Sequence, residues 1–288
     1  MEQLAPGIFA ETDFIGVNVG AISTSKGIVA IDSPSFPRDA RSWALTLHRT
    51  NHYAVLTTLL TDFHGDRTLN TRWLNAPITA HTLTAERLIS YDKRFPGYLL
   101  ESLSQRHPDR GRELSNSPVE RIAVSFDGTL TLFKGGKHIE LTAVPGPTPS
   151  NIWVSIPDAN VLFVGDTLMV DTHPLLTEGN SAQWLASLDK LESLAPKLMA
   201  IVPGRGPICD GSAIAPVRDY LIHMRQIIQQ HIAAGKTQEE TAVYIPEFLS
   251  AFPAHDLPLD WLKRQIKSSL DHVYLELKLE SSIKQPKP

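Results

Sequence analysis

The chain has 288 residues, 42% hydrophobic and 20% charged, a composition that can bury a large core and excludes a disordered or fibrous polypeptide. Its formal net charge of -4 comes from interspersed acids and bases, without the Lys/Arg-rich run of a nucleic-acid surface. The single cysteine, Cys209, excludes an internal disulfide and points to the reducing cytoplasm, and no apolar stretch has the length of a signal peptide or a membrane span.

In chain order, residues 7–10 and 17–24 read as extended, and 27–32 is an apolar run ending in Asp32, an acid suited to capping a turn. After Pro37, Ala40, Trp43, Ala44 and Leu47 recur at helical spacing, so an amphipathic helix leads back to a strand over 53–60. A helix over 68–74 and a short strand over 77–80 continue this strand-helix-strand unit. From 81 to 118 the pattern weakens. A helix near 85–91 is followed by Pro96-Gly97 and by Arg106, Arg110 and Arg112, which read as the solvated face of a surface insertion able to lie over a site or, as the lesser alternative, as charges drawing anions toward it.

Residues 129–133 and 138–142 alternate polar and apolar around Gly135-Gly136, the signature of a tight hairpin. A second pair, 151–156 and 160–164, turns at Pro157-Asp158. Asn180 and Ser181 cap a helix through Leu194 with the apolar stripe Trp184, Leu188, Leu191, Ala195, stopped by Pro196. A last strand over 198–202 runs into Pro203-Gly204-Arg205-Gly206-Pro207. Beyond Ser212, residues 215–234, 238–248 and 259–279 carry helical periodicity, and 284–288 reads as a frayed tail. Two sheet-forming stretches, each ended by a helix, predict a two-layer sheet core with helices outside.

Chemistry concentrates where the strand over 53–60 ends, because Asp62, His64, Asp66 and Arg67 follow within a few positions. Alternate residues of an extended segment point the same way, so Asp62, His64 and Asp66 share a face at the carboxyl end of a strand, where ligand and metal sites form. The structural alternative is a polar loop whose carboxylates cap the next helix.

Gly27 to Asp32, Thr61 to Arg67, Val144-Pro145-Gly146-Pro147-Thr148-Pro149, Phe163-Val164-Gly165-Asp166 and Val202 to Pro207 resemble, in order and spacing, the successive motifs of the metallo-β-lactamase superfamily. The resemblance covers roughly residues 5 to 212. It implies an α/β fold, a four-layer αβ/βα sandwich with its site along one sheet edge. Residues 1–212 would form that domain, and 213–288 a C-terminal helical extension packed on it or building a homodimer. The family's His-x-His-x-Asp-His pattern falls on Asp62, His64, Asp66 and Arg67. The histidine of its Pro-Gly-His-Thr turn falls on Pro147, its metal-bridging aspartate on Asp166, and its last histidine on Arg205. Proline has no side-chain donor and arginine stays protonated, so neither coordinates a cation.

Two functions follow from different classes. In one, the family's dinuclear-zinc hydrolysis is absent, Asp66, Arg67, Arg205 and Asp166 form a metal-free salt-bridge cluster, and the pocket binds an anionic small molecule or a partner. In the other, Asp62, His64 and Asp166 hold one zinc, iron or manganese ion and Asp66 serves as the base of an ester, thioester, lactone or phosphodiester hydrolase. His173, seven residues after Asp166, is a substitute ligand or a solvated loop residue. His48 and His52, at helical spacing, lack the acid of a zinc-protease motif and read as surface. Cys209 reads as a structural thiol, and Trp43 and Trp184 as core.

Overall fold

The computed structural model describes residues 1–114, 117–255 and 257–284. Twelve strands divide between two sheets. The first contains β1 (Glu2–Ala5), β2 (Ile8–Glu11), β3 (Val19–Thr24), β4 (Gly27–Ile31), β5 (Val55–Leu59), β6 (Ile78–His81) and β7 (Ile122–Phe126), hydrogen-bonded in chain order. Its first four strands are antiparallel and joined by short turns; β4 through β7 are parallel. Parallel neighbours need a crossover, which α1 (Pro37–Thr50) supplies between β4 and β5. Its buried stripe of Ala40, Trp43 and Leu47 packs on Val19, Ala21, Ile28 and Ala30 of that sheet.

The second sheet has the order β12 (Ala200–Arg205), β11 (Val161–Met169), β10 (Ile152–Ile156), β9 (Lys137–Ala143), β8 (Thr129–Lys134). It is antiparallel except for β11 and β12, which α5 (Ser181–Leu194) connects. The inner faces meet through Ile8, Ile22, Val29 and Ile31 on one side and Leu141, Val154, Phe163 and Val202 on the other. The outer face of the second sheet is covered by α5, α6 (Ile214–Ala233) and α8 (Leu259–Lys284), with α7 (Ile245–Leu249) beneath them. Helix, sheet, sheet, helix is the four-layer order expected, completed by a C-terminal helical region. Among the described residues no helix is long and apolar enough to cross a membrane.

Several local expectations change. The helix expected over 68–74 begins earlier, as the single turn α2 (Gly65–Thr68), followed by a 3-10 turn over Thr71–Leu74. Asp66 therefore lies on a helix, and the shared extended face ends at His64. The segment 81–118 is more than a solvated insertion. It contains α3 (Thr82–Ser90) and α4 (Gly97–Arg106), and buries Leu88, Phe95, Leu103 and Leu114 in a cluster with Leu60, just past β5, and Ile78 and Ala80 of β6. Strand β7 was unforeseen because it is an edge strand with three exposed residues in its middle. Strand β11 is nine residues long and buried throughout, so it carries Asp166 inside the sheet. Residues 239–244 form a 3-10 helix ahead of α7 instead of one α-helix. The frayed tail expected over 284–288 lies outside the described residues from 285 onward.

Candidate functional site

The site lies where the ends of β4, β5, β11 and β12 meet. Asp62, fully buried just past β5, turns its carboxylate back: Oδ1 accepts from the His64 backbone at 2.8 Å, and Oδ2 lies 2.9 Å from His64 Nδ1. This small ring fixes His64 as the residue preceding α2, where its carbonyl accepts from the backbone N–H of Arg67 and Thr68. Asp166 enters from β11 with one oxygen 3.5 Å from the same His64 nitrogen. One ligand atom each of Asp62, His64 and Asp166 thus lies within 4.8 Å of the others, a spacing compatible with one metal ion.

Arg67 sits in the midst of these carboxylates, fully buried. Its Nη2 donates to Asp166 Oδ1 at 2.6 Å, its Nε lies 3.2 Å from Asp62 Oδ1, and its Nη1 donates to Thr61 Oγ1 at 2.6 Å. Behind it, Asp32 accepts from the Thr61 backbone at 2.8 Å and from the Thr61 hydroxyl at 2.6 Å. Asp32 is a site residue that sequence reasoning assigned only to a turn. Its position at the end of the strand parallel to β5 was the available signal.

Arg205, at the end of β12, donates through Nη2 to Asp66 Oδ2 at 2.5 Å and approaches Asp166 Oδ2 at 3.4 Å; its Nη1 donates to the Gly16 carbonyl. Asn18 holds this turn by donating to the carbonyls of Pro203 and Gly206. A side chain at Gly204 would collide with Asp166 Oδ1, so glycine is what lets β12 pass this close to the site. Arg106, at the end of α4, completes the ring: Nη1 donates to Asp66 Oδ2 at 3.3 Å, and its guanidinium lies over Trp261 of α8 at 5.4 Å. Asp66, Arg67, Arg205 and Asp166 lie within ion-pair distance of one another, and Arg106, read from the sequence chiefly as a solvated surface residue, joins them through Asp66.

Burial pushes the His64 imidazole toward neutrality, but the Asp62 and Asp166 carboxylates outweigh it and hold its pKa well above the ordinary value. Burial likewise opposes ionisation of Asp66 and Asp166. The charges of Arg205 and Arg67 overcome it and hold both carboxyls well below the usual range. Asp32 is the exception, because burial exceeds the pull of Arg67 and Thr61 and raises it to about 7. Arg106 is lowered to about 9 by burial and by the Arg205 charge beside it.

His64, Asp66, Arg106, Asp166 and Arg205 form one end of a cavity of about 490 Å³. Its remaining lining combines apolar side chains, Leu99 and Leu103 from α4, Met169 at the end of β11, Leu175 beyond it, and Trp261 and Leu262 from α8, with neutral polar ones such as Ser102, Thr172 and Gln265. Pro147 lines the cavity without a side-chain donor. His173 also lines it, its Nε2 3.2 Å from the Leu249 carbonyl, with burial lowering its pKa. Glu178, unforeseen, stands 3.9 Å from His64 Nε2 and pairs with Arg87 at 3.1 Å. Arg110 is bound instead to Asp39 and Glu113, and Arg112 is exposed. His48 and His52 are exposed, and the Cys209 thiol faces the Ile201 carbonyl with burial raising its pKa to about 12.

A family model described as the Metallo-beta-lactamase superfamily matches residues 12–205. Among curated proteins, a metallo-beta-lactamase type 2 of Pseudomonas aeruginosa is 25% identical over 228 residues, covering 74% of this chain and 80% of the relative. A metallo-beta-lactamase family protein from Thermus thermophilus superposes with a TM-score of 0.70 at 18% identity, covering 97% of this chain and 95% of its own. That coverage takes in the C-terminal helices. A metallo-beta-lactamase from Pontibacter korlensis gives 0.60 at 18% identity, over 76% of this chain and 97% of its own.

Proposed function

Because this chain belongs to the metallo-β-lactamase superfamily, we propose that Arg67 and Arg205 stand in for metal here and that the cavity binds a small anionic molecule. The observation that carries this reading is the guanidinium of Arg67, fully buried and 2.6 Å from Asp166 Oδ1 and 3.2 Å from Asp62 Oδ1. The carboxylates that would face a dication already hold a fixed cation. A metal pair does not fit these residues, since Arg67, Pro147 and Arg205 offer no donor atoms where the family pattern has histidines. A single ion fits poorly as well. Both oxygens of Asp62 and Asp166 lie against guanidinium or imidazole nitrogens, and the same two carboxylates raise the His64 pKa well above its ordinary value. Ligation requires a neutral imidazole.

Anion binding draws its support from Arg106. Among the described residues its one hydrogen bond, at 3.3 Å, goes to an oxygen that Arg205 also holds, while its side chain lines the cavity. A desolvated, half-paired guanidinium favours an incoming acceptor.

The second reading keeps one zinc, iron or manganese ion at Asp62, His64 and Asp166 in a hydrolase, supported by the 4.8 Å grouping of their ligand atoms. It is weakened at Asp66, the available base, because a carboxyl held well below its usual range by Arg205 and Arg67 accepts a proton poorly. Elemental mass spectrometry on protein purified without chelator and dialysed against each metal decides between them. We expect less than about a tenth of an equivalent. About one equivalent, lost in Asp62→Ala/His64→Ala, overturns the arginine-for-metal reading.

A further inference from the structure

The cavity has two chemically different ends, and together they specify more than an anion. At the polar end, Arg205 and Arg67 are each shared between at least two carboxylates, which leaves Arg106 as the guanidinium with spare donors facing the space. Asp66 and Asp166 flank the same end, so a second negative charge on the ligand would meet them at short range. The rest of the lining offers Leu99, Leu103, Met169, Leu175, Trp261 and Leu262 together with neutral polar groups such as Ser102 and Gln265, and no further Lys or Arg. Trp261 belongs to both ends, since its ring carries the Arg106 guanidinium at 5.4 Å while it also walls the apolar part. A volume of about 490 Å³ falls among small-molecule sites, roughly 300–1,000 Å³.

We propose that this cavity takes a small monocarboxylate with an apolar body, its carboxylate on Arg106 and its body along Leu99, Leu103 and Trp261. The proposal rests on the metal-free, anion-binding reading above and adds the class of ligand. A carboxylate matches the planar fork of arginine in two parallel hydrogen bonds, and one charge satisfies Arg106 without confronting Asp66 and Asp166 twice. Removal of the apolar body from water supplies the greater part of the affinity. The lowering of Arg106 to about 9 by burial and by Arg205 agrees with a cation short of counter-charge.

The test is calorimetric titration of the full chain, its metal content measured first, with acetate, butanoate, hexanoate, octanoate, 1-octanol and inorganic phosphate. Affinity should rise about fourfold per methylene from butanoate to octanoate, the equivalent of about 0.8 kcal/mol each. Arg106→Gln should weaken octanoate at least tenfold and leave 1-octanol unchanged. Leu99→Trp, which narrows the apolar part from a half-buried position, should flatten the chain-length series and spare acetate. A flat series in the unaltered protein, octanol as tight as octanoate, or octanoate undiminished by Arg106→Gln overturns the proposal. Phosphate binding with no response to any acid overturns it while preserving the anion-binding reading. No response to any of these anions overturns both.

Discussion

Two buried ion clusters in this molecule are built from the same groups to different ends. In the C-terminal region, Glu276 of α8 accepts from the backbone of Ser181 at 2.9 Å and of Ala182 at 3.2 Å, from the Ser181 hydroxyl at 2.7 Å and from Arg225 Nη1 at 2.7 Å. Arg225 spends its other nitrogen on Glu280 at 3.0 Å. No buried side-chain nitrogen or oxygen of Ser181, Arg225 or Glu276 lacks a hydrogen-bond partner. The cluster at the sheet edge leaves Asp66 Oδ1, Arg67 Nε and Arg106 Nε without one, even though each has an opposite charge nearby. The first cluster is fully hydrogen-bonded and ties helices together; the second, beside the cavity, is not fully hydrogen-bonded.

The largest expected effect comes from Arg67→Met, which strips the one cation shared by Asp32, Asp62 and Asp166. Leaving those charges buried should cost about 3–5 kcal/mol in urea unfolding. A loss under 1 kcal/mol would mean that the edge cluster does not hold the loops, and the contrast with the C-terminal cluster would have to be redrawn. Next, Glu276→Gln keeps the shape and removes the charge, and should lower the unfolding free energy by about 1–3 kcal/mol without changing affinity at the cavity. Loss of ligand affinity in that variant would break the separation between the two clusters.

The remaining effect, spread over several pH units, is a pH dependence. Asp32 is raised from 3.8 to about 7, so its contribution is present in full below pH 3.8 and is lost as pH rises through 7. His64, raised above 6.5, loses its contribution as pH climbs past that value. Asp66 and Asp166 are lowered, so theirs are present above 3.8 and fade as pH falls below it. These four groups place the stability maximum at about pH 4–5. Asp32→Asn should remove a decline of at most roughly 1.4 kcal/mol per pH unit between pH 4 and 7. An unchanged slope in denaturation midpoints across that range would assign the decline elsewhere. Asparagine also tolerates the left-handed backbone of Asp32, whose φ is 56°.

The sheets were legible because their strands are apolar runs bounded by turn residues, as at Gly135-Gly136, and α5 because Asn180 caps an apolar stripe, its side chain accepting from the Gln183 backbone. The ligand-end residues Asp62, His64, Asp166 and Arg205 were legible through motif order. Arg106 was not. Helix α4 starts after Pro96-Gly97, which reads as a break, and buries only Leu103 fully, so local periodicity hides it. Its place over Asp66 depends on Trp261, 155 positions away by residue number, and no local pattern carries such a contact. Asp66 was assigned to the face of Asp62 and His64 because strand alternation was extended one step too far, into a helical turn opened by Gly65.

The carboxylate of Glu276 holds the first turn of α5 from 95 positions downstream. During synthesis, Ser181 therefore leaves the ribosome long before the group that completes its helix, and the Trp261 wall of the cavity is likewise missing. The sandwich can collapse on the growing chain, but its pocket closes only once α8 has been made. Closure of the cavity is thus a late step that waits on the docking of α8, the last of the described helices to be synthesised.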